Sequence, residues 1–131
     1  DLSISAISTY MSSGLFKPKK FNLLEHQFSI CEPLSPTGLT SIRYYKELPQ
    51  SKLKKIISSD MDIKATKMIE KNAERNEIIT KSSSSFEFHC SEATRLLYSN
   101  PGSFDIVDLD PYGTAVPFLD SGIQALVNGG N

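Results

Sequence analysis

Acidic residues stand at the ends of four apolar segments of this chain. Each segment is typical of a buried strand, and the acids that follow are Glu32, Asp60, Glu92 and Asp110. One carboxylate at a strand end is ordinary. Four in succession indicate a site for a ligand that has several hydroxyl groups and some positive charge, because carboxylates only accept hydrogen bonds and attract cations.

The last acid lies in the segment Leu109-Asp110-Pro111-Tyr112-Gly113. Asp110 can bind the hydrogens of an exocyclic amine, orient the nitrogen lone pair towards a methyl donor, and take a proton as the new bond forms. Tyr112 can stack on a base that has left its helix, and Pro111 stiffens the turn between them. We predict that Asp110, Pro111 and Tyr112 are catalytic. The alternative is an ordinary Asp-Pro turn.

The other strand ends suggest contacts to a nucleoside. Asp60 can accept hydrogen bonds from both hydroxyls of a ribose, or it can cap the next helix. Glu92 can accept from the amine of an adenine, and the small Ala93 leaves room for the ring. The turn after Glu32 keeps a single glycine, Gly38, where a dinucleotide-binding turn has three. This turn is a weak signal, and an ordinary strand-to-helix turn fits it equally well.

Alternating strand and helix patterns place these acids. The predicted strands cover residues 28–31, 55–58, 86–90 and 104–109. The apolar spacing predicts helices on Leu2, Ile4, Ala6, Ile7 and Tyr10; on Leu39, Ile42, Tyr45 and Leu48; on Ile63, Met68, Ile69 and Ala73 with Asp60 or Asp62 as cap; on Ala93, Leu96 and Leu97; and on Phe118, Ile123, Ala125 and Leu126, closed by Gly129-Gly130. This alternation predicts an α/β fold with a parallel sheet, helices on both faces, and ligands beyond the carboxyl ends of the strands.

Length and composition narrow the classes of protein. The 131 residues allow one domain, and 14 basic against 15 acidic residues give a net charge of −1. No apolar run is long enough for a bilayer and no signal peptide is visible, so we expect no membrane partner. Cys31 and Cys90 lie in apolar runs and predict free buried thiols, with neither a disulfide nor a metal site. Lysines at 17–20 and 46–55 are typical of solvated surface, so an RNA substrate would need binding surface outside this chain.

Two long segments resemble motifs of the tRNA (guanine-N2-)-dimethyltransferase family. Leu34 through Tyr44 resembles that family's first motif, Leu-Ser-Ala-Thr-Gly-Leu-Arg-Ser-Ile-Arg-Tyr. Asp105 through Gly113, followed by residues 117–121, resembles its Asp-Leu-Asp-Pro-Phe/Tyr-Gly segment and the start of the next helix. Residues 1–4 resemble the end of its N-terminal signature, whereas residues 12–27 do not align well. The chain departs from the family at Pro36, Thr40 and Glu92, where Ala, Arg and Asp are usual.

The resemblance implies a Rossmann-like class I methyltransferase fold, S-adenosylmethionine as cofactor and tRNA as partner, with no oligomeric state implied. The reaction would be methylation of the N2 amine of a guanine. The implied cofactor-binding residues are Glu32, Thr37, Gly38, Arg43, Asp60, Glu92 and Ala93. Of these, Arg43, Thr37 and Gly38 would shape the methionine pocket, and Asp110 through Tyr112 would face the guanine amine.

The resemblance also implies that residues 1–131 form one partial domain. The last strands and the C-terminal RNA-binding domain of the family are expected to be missing from this sequence. An intracellular location, in the nucleus or the mitochondrion, follows from the same resemblance.

Other functions remain open at this point. The chain could be a non-catalytic module that holds a cofactor or a partner subunit. It could also be another amine or amide N-methyltransferase, acting on DNA adenine or protein glutamine, although those usually carry a double proline where this chain has Pro111-Tyr112. A nicotinamide-dependent enzyme is disfavoured, because the first turn has too few glycines.

Overall fold

The computed structural model of the chain describes residues 2–12, 26–78, 85–111 and 113–127. Within these ranges one parallel sheet is formed by β1 (Phe28–Glu32), β2 (Leu53–Asp60), β3 (Phe86–Cys90) and β4 (Ile106–Val107), in the order β3-β2-β1-β4. The helices are α1 (Leu2–Ser12), α2 (Leu39–Glu47), α3 (Ile63–Arg75), α4 (Ala93–Tyr98) and α5 (Leu119–Ala125), with short 3-10 turns at Gln50–Lys52 and Val116–Phe118.

Helices cover both faces of this sheet. Successive side chains of a strand point to opposite faces, so Ile30 and Ile56 pack with α1, α2 and α3. Their neighbours Cys31 and Ile57 pack with α4 and α5 on the other face. The predicted α/β architecture with helices on both faces is therefore confirmed.

The strand order reverses between β1 and β4. From β1 the chain adds β2 and then β3 on one side, and it returns to place β4 on the other side of β1. In sheets of this type the helices after the two diverging strands separate, which opens a crevice at the carboxyl ends of those strands. The fold therefore places a ligand crevice at the ends of β1 and β4.

The four predicted strands are all present. The third, Phe86–Cys90, has the predicted bounds, and the first is one residue longer, since it ends at Glu32. The second is longer than predicted, since it spans Leu53–Asp60, and the fourth is shorter, since only Ile106–Val107 pair as a strand. Phe104, predicted to begin the fourth strand, instead forms an isolated parallel bridge with Leu126. The pairing of a short edge segment depends on its neighbours, which the apolar pattern does not reveal.

The predicted helices are present, and most stripe residues pack as expected. Leu39, Ile63, Met68 and Ile123 do not: their exposed fractions are 52%, 54%, 42% and 69%. Ala6 on α1 is exposed as well. Leu39 and Ile63 are the first residues of α2 and α3, which begin where the chain leaves the carboxyl edge of the sheet. These five assignments to the buried stripes were wrong. Gly129-Gly130, predicted to close the last helix, lie outside the described residues.

The small residues of α5 explain the exposure of Ile123. This helix packs through Ser121, Gly122 and Ala125, and a Cβ on Gly122 would lie 3.3 Å from Leu109 Cδ1. Small residues allow the closer approach, so the larger Ile123 is turned outwards. Hydrophobicity alone therefore misidentified the packed face.

The two cysteines differ in their environments. Both are free thiols, with Cys31 buried in the central strand and Cys90 exposed at the end of β3. Burial raises the pKa of the Cys31 thiol. The expectation of a buried thiol is confirmed for Cys31 and wrong for Cys90, because Cys90 is the last residue of β3 and exposure increases along this strand towards the carboxyl edge of the sheet.

Neither a long apolar helix nor a metal-binding cluster occurs in the described part of the chain. No helix there is long and apolar enough to cross a membrane. The same residues contain no group of three or more His, Cys, Asp or Glu side chains placed to hold a metal ion.

Candidate functional site

A cavity of about 300 Å³ opens at the carboxyl ends of β1 and β4, at the reversal of strand order. Its lining contains four residues predicted from the sequence, Glu32, Thr37, Asp110 and Pro111. Leu34, Pro36 and Thr40 complete the lining. The structure therefore brings the end of β1, the turn before α2 and the segment after β4 into one site.

Glu32 is the buried acid of this cavity. Its exposed fraction is 6%, and its Oε2 accepts hydrogen bonds from the backbone N–H of Ser41, at 3.1 Å, and from the Ser41 hydroxyl. Burial raises the pKa of Glu32, and the nearby charge of Asp108 raises it further, whereas the bonds from Ser41 oppose both effects. A cationic ligand group in the cavity would stabilise the ionised form of Glu32.

The turn between β1 and α2 is held by its own hydrogen bonds. Ser35 N–H donates to Ser59 O on β2 at 2.8 Å, and Gly38 N–H donates to Ser35 Oγ at 3.0 Å. Gly38 has a φ of +74°, and a Cβ there would lie 2.9 Å from Ile69 Cγ2 on α3. Thr37 lies exposed in the same turn. Gly38 is thus required by backbone conformation and helix packing, whether or not a ligand also contacts it.

Asp60 ends β2 beside the end of β3. Its Oδ1 accepts from Asp62 N–H at 2.9 Å, and its backbone carbonyl accepts from Ser91 N–H at 3.0 Å. Asp62 caps α3 by accepting from Lys64 N–H at 2.9 Å. Of the two predicted caps, Asp62 is therefore correct and Asp60 is not. Asp60 remains free of the capping role, and its assignment to a ribose stays a prediction.

Glu92 is the N-cap of α4, a role the sequence interpretation missed. Its Oε1 accepts from Thr94 N–H and its Oε2 from Arg95 N–H, both at 2.9 Å. The bond from Thr94 is the main reason why the pKa of Glu92 is lowered. Ala93, the first residue of α4, is buried. Both lie at the edge near Asp60 and outside the cavity lining, and their assignment to the adenine stays a prediction.

Two further predicted residues lie apart from the cavity. Arg43 is exposed on α2, where its guanidinium pairs with Glu47 at 2.9 Å, one helical turn further on. It does not line the cavity, so its place in a methionine pocket stays a prediction. Tyr112 lies outside the described residues. Thr40, at a position where this chain departs from the family's usual Arg, does line the cavity.

The sequence interpretation also missed three residues behind the cavity. Ser41 binds Glu32, and the hydroxyl of Tyr44 donates to the carboxylate of Asp108, just after β4. All three fall within the two motif-like segments. The available signal was helical spacing, since Ser41 and Tyr44 lie three residues apart on α2 and therefore share a face.

Comparison with solved structures gives the fold. A structure described as Trm1 from Pyrococcus horikoshii with S-adenosyl-L-methionine superposes with a TM-score of 0.69 and 22% identity, over 93% of this chain and 33% of that one. At this identity the likeness establishes the fold. The chain has the Rossmann-like fold of S-adenosylmethionine-dependent methyltransferases.

Sequence comparison gives the family. A tRNA (guanine(26)-N(2))-dimethyltransferase of Schizosaccharomyces pombe is 42% identical over 103 residues, covering 79% of this chain and 18% of that protein. One from Methanococcus maripaludis is 35% identical over 131 residues, covering 99% and 31%. One from Saccharomyces cerevisiae, named as mitochondrial, is 37% identical over 114 residues, covering 83% and 19%. The family model of N2,N2-dimethylguanosine tRNA methyltransferases matches residues 1–131, and the chain belongs to that family.

The chain spans less than a third of the length of these curated relatives. More than two thirds of each relative therefore lies outside the part that aligns with this sequence.

Proposed function

We propose that this chain is part of an enzyme that transfers methyl groups from S-adenosylmethionine to the N2 amine of a guanine in tRNA. Family membership supports the reaction. The observation that carries the proposal is the cavity at the reversal of strand order, which has the buried Glu32 and the exposed Asp110 in its lining. In this proposal Glu32 lies on the side of the cofactor, and Asp110 lies on the side of the amine, where a carboxylate can orient the nitrogen and take its proton.

The residues present fit the proposed cofactor. The acids near this edge supply acceptors, and S-adenosylmethionine offers the matching donors: ribose hydroxyls, an adenine amine, an ammonium and a cationic sulfonium. The hydrogen bond from Asp62 N–H uses only Oδ1 of Asp60, so the second oxygen of this carboxylate can accept a hydrogen bond from the ligand. When bound, the cofactor supplies a methyl group activated by the sulfonium charge.

Residues at the strand ends would bind and orient the cofactor. In this proposal Asp60 accepts from the ribose, and Glu92 with the backbone of Ala93 contacts the adenine without giving up its cap. Thr37, Gly38 and Arg43 shape the pocket for the methionine group. Glu32 supplies negative charge, whose desolvation in the buried site is offset by the ligand's positive charge.

The segment after β4 would hold the guanine. Asp110 accepts a hydrogen bond from the N2 amine, which orients the nitrogen lone pair towards the methyl group, and it can take the proton that the amine loses. Pro111 keeps this acid in place. We assign base stacking to Tyr112 on the chemistry of its side chain.

Asp110→Asn in the full-length protein tests this function. Asn keeps the shape and one acceptor oxygen but loses the charge, so we expect turnover to fall on the order of 100- to 10,000-fold. Affinity for S-adenosylmethionine, measured by titration calorimetry beside NADH as a negative control, should stay nearly intact.

Two results would contradict the role of Asp110, and two others would contradict the proposed function. Loss of cofactor affinity equal to the loss of turnover would make Asp110 structural. Full activity of Asp110→Asn would remove it from catalysis. A wild-type protein that binds the cofactor but methylates no tRNA would favour the non-catalytic module, and methylation of DNA or protein amides in its place would favour another N-methyltransferase.

We also propose tRNA as the partner and an intracellular site of action, in the nucleus or the mitochondrion. Support for the mitochondrion is the name of the relative from Saccharomyces cerevisiae. Residues 1–131 would be part of a single cofactor-binding domain, with tRNA contacts supplied mainly by other parts of the protein. Fluorescence of a tagged full-length protein would decide between the compartments.

A further inference from the structure

The buried face of α2 presents two hydroxyl donors to two acids. Ser41 and Tyr44 are both fully buried and lie three residues apart, so they project from the same side of the helix. The Ser41 hydroxyl donates to Glu32 at the end of β1, and the Tyr44 hydroxyl donates to Asp108 just after β4. These strands are neighbours, because Cys31 pairs with Val107. One helix therefore contacts the acids on both sides of the reversal.

Asp108 is attached at two points. Its backbone N–H donates to Cys31 O at 2.8 Å, which extends the pairing of β4 with β1, and its carboxylate accepts from Tyr44. The regular strand ends at Val107, and Asp110 follows Asp108 by two residues. The position of Asp110 in the cavity therefore depends on how firmly Asp108 is held.

Tyr44 is suited to hold Asp108. Its ring is fully buried in the core, and its hydroxyl is the group that reaches the edge of the site. Burial raises the pKa of Tyr44, and the hydrogen bond to Asp108 raises it further, so the hydroxyl keeps its proton and remains a donor. Because the ring is covered by core residues, Tyr44 can act on the substrate only through another residue.

We propose that Tyr44 is a positioning residue for the transfer: its hydroxyl holds the Asp108 carboxylate and thereby places Asp110 against the guanine amine. The inference rests on the function proposed above and adds two residues to it. Tyr44 touches neither substrate nor cofactor.

The chain offers a matched control in Tyr98. Its hydroxyl also donates to an aspartate, Asp120, and this pair links α4 to α5 at an exposed position. Tyr98→Phe removes the same kind of bond as Tyr44→Phe, at a pair whose two residues do not line the cavity. Both variants keep the aromatic ring and its packing.

The experiment measures three quantities in full-length protein. For Tyr44→Phe we expect kcat for tRNA methylation to fall on the order of 10- to 100-fold, as is typical when a reacting group is slightly misplaced. Affinity for S-adenosylmethionine and the melting temperature should change little. Tyr98→Phe should leave kcat unchanged. In an Asp108→Ala background, adding Tyr44→Phe should lower kcat little further, because Tyr44 acts through Asp108.

Several outcomes overturn the inference. They are unchanged kcat in Tyr44→Phe, a loss of kcat that simply multiplies with that of Asp108→Ala, and a Tyr44→Phe protein that unfolds or loses cofactor affinity as much as turnover. The last result would make Tyr44 a structural core residue. An inactive wild-type protein would instead refute the proposed function, so the two failures are distinguishable.

Discussion

Glu32 and Ser58 are directly paired in register on β1 and β2, and both are buried. Glu32 is held by Ser41, whereas Ser58 Oγ is the one buried side-chain oxygen or nitrogen among the described residues that lacks a hydrogen-bond partner. A buried carboxylate opposes folding when it is ionised, because the unfolded chain solvates it better. The ionised Glu32 therefore lowers the free energy of unfolding, and it provides a negative charge that can bind a cationic ligand group.

The raised pKa of Glu32 predicts how stability depends on pH. The folded protein holds this proton to higher pH than the unfolded chain, so the free energy of unfolding falls as pH rises from the ordinary glutamate pKa through the raised value. Glu32→Gln removes this loss. We expect the variant to be more stable than wild type at neutral pH, with the advantage disappearing in acid. Denaturant unfolding measured across this pH range would show it.

Ser58→Ala is the control for that experiment. It removes a buried hydroxyl without a partner, so stability should rise by up to about 1–3 kcal/mol, the desolvation penalty of such a group. Ser58 has no titratable proton in this range, so its gain should be the same at every pH. If the Glu32→Gln and wild-type curves ran parallel, the titration of Glu32 would not contribute to stability.

The start of α2 depends on close packing against α3. Gly38 N–H binds Ser35, its φ of +74° suits glycine, and Ile69 of α3 lies against its Cα. The same element carries Ser41 and Tyr44 towards the two acids. A shift of α2 would therefore move the two hydroxyls that hold these acids, and this links the packing of the helix pair to the geometry of the cavity.

Gly38→Ala tests this packing. Alanine at a left-handed position loses on the order of 1–3 kcal/mol, and the contact of its Cβ with Ile69 should add to that loss. Gly102→Ala is the matched control, since Gly102 has a φ of +58° but its Cβ would meet nothing nearer than Leu126 O at 4.0 Å. Gly38→Ala should lower the free energy of unfolding more than Gly102→Ala. Equal losses in the two variants would show that Ile69 on α3 moves away from the added Cβ at no cost in free energy.

At the scale of the whole molecule, net charge bears on the affinity for nucleic acid. With 14 basic and 15 acidic residues the chain has no net attraction for a polyanion, and it corresponds to 18–31% of the length of the relatives compared above. Affinity for nucleic acid comes largely from phosphates neutralised by lysine and arginine. We therefore expect that tight binding of tRNA needs basic surface beyond these residues.

We expect the 131-residue chain to bind tRNA only weakly at physiological salt. Filter binding or fluorescence anisotropy over a series of salt concentrations would measure it, with the full-length protein as the comparison. The full-length protein should bind more tightly and with a steeper dependence on salt, because it neutralises more phosphates. Submicromolar binding by the 131-residue chain, with a steep salt dependence, would show that its lysine clusters suffice.

The sequence by itself determined the presence of the strands and helices and the four acids at or just after the strand ends. Buried parallel strands are typically short apolar runs, whereas in the helices between them apolar residues recur every three to four positions. Both kinds of element can therefore be recognised in the sequence. The parallel arrangement then sends all strand ends to one edge of the sheet. For this reason the meeting of Glu32 and Asp110 in one cavity agrees with what the sequence predicts.

Only the tertiary structure decided which groups hold these acids. Tyr44 and Asp108 are 64 positions apart, and their pairing depends on the reversal that places β4 beside β1. The exposure of Ile123 depends on the close approach of the small residues of α5 to Leu109. Such features arise from the distance and direction between elements, whereas a hydrophobic pattern records only which residue types each element contains.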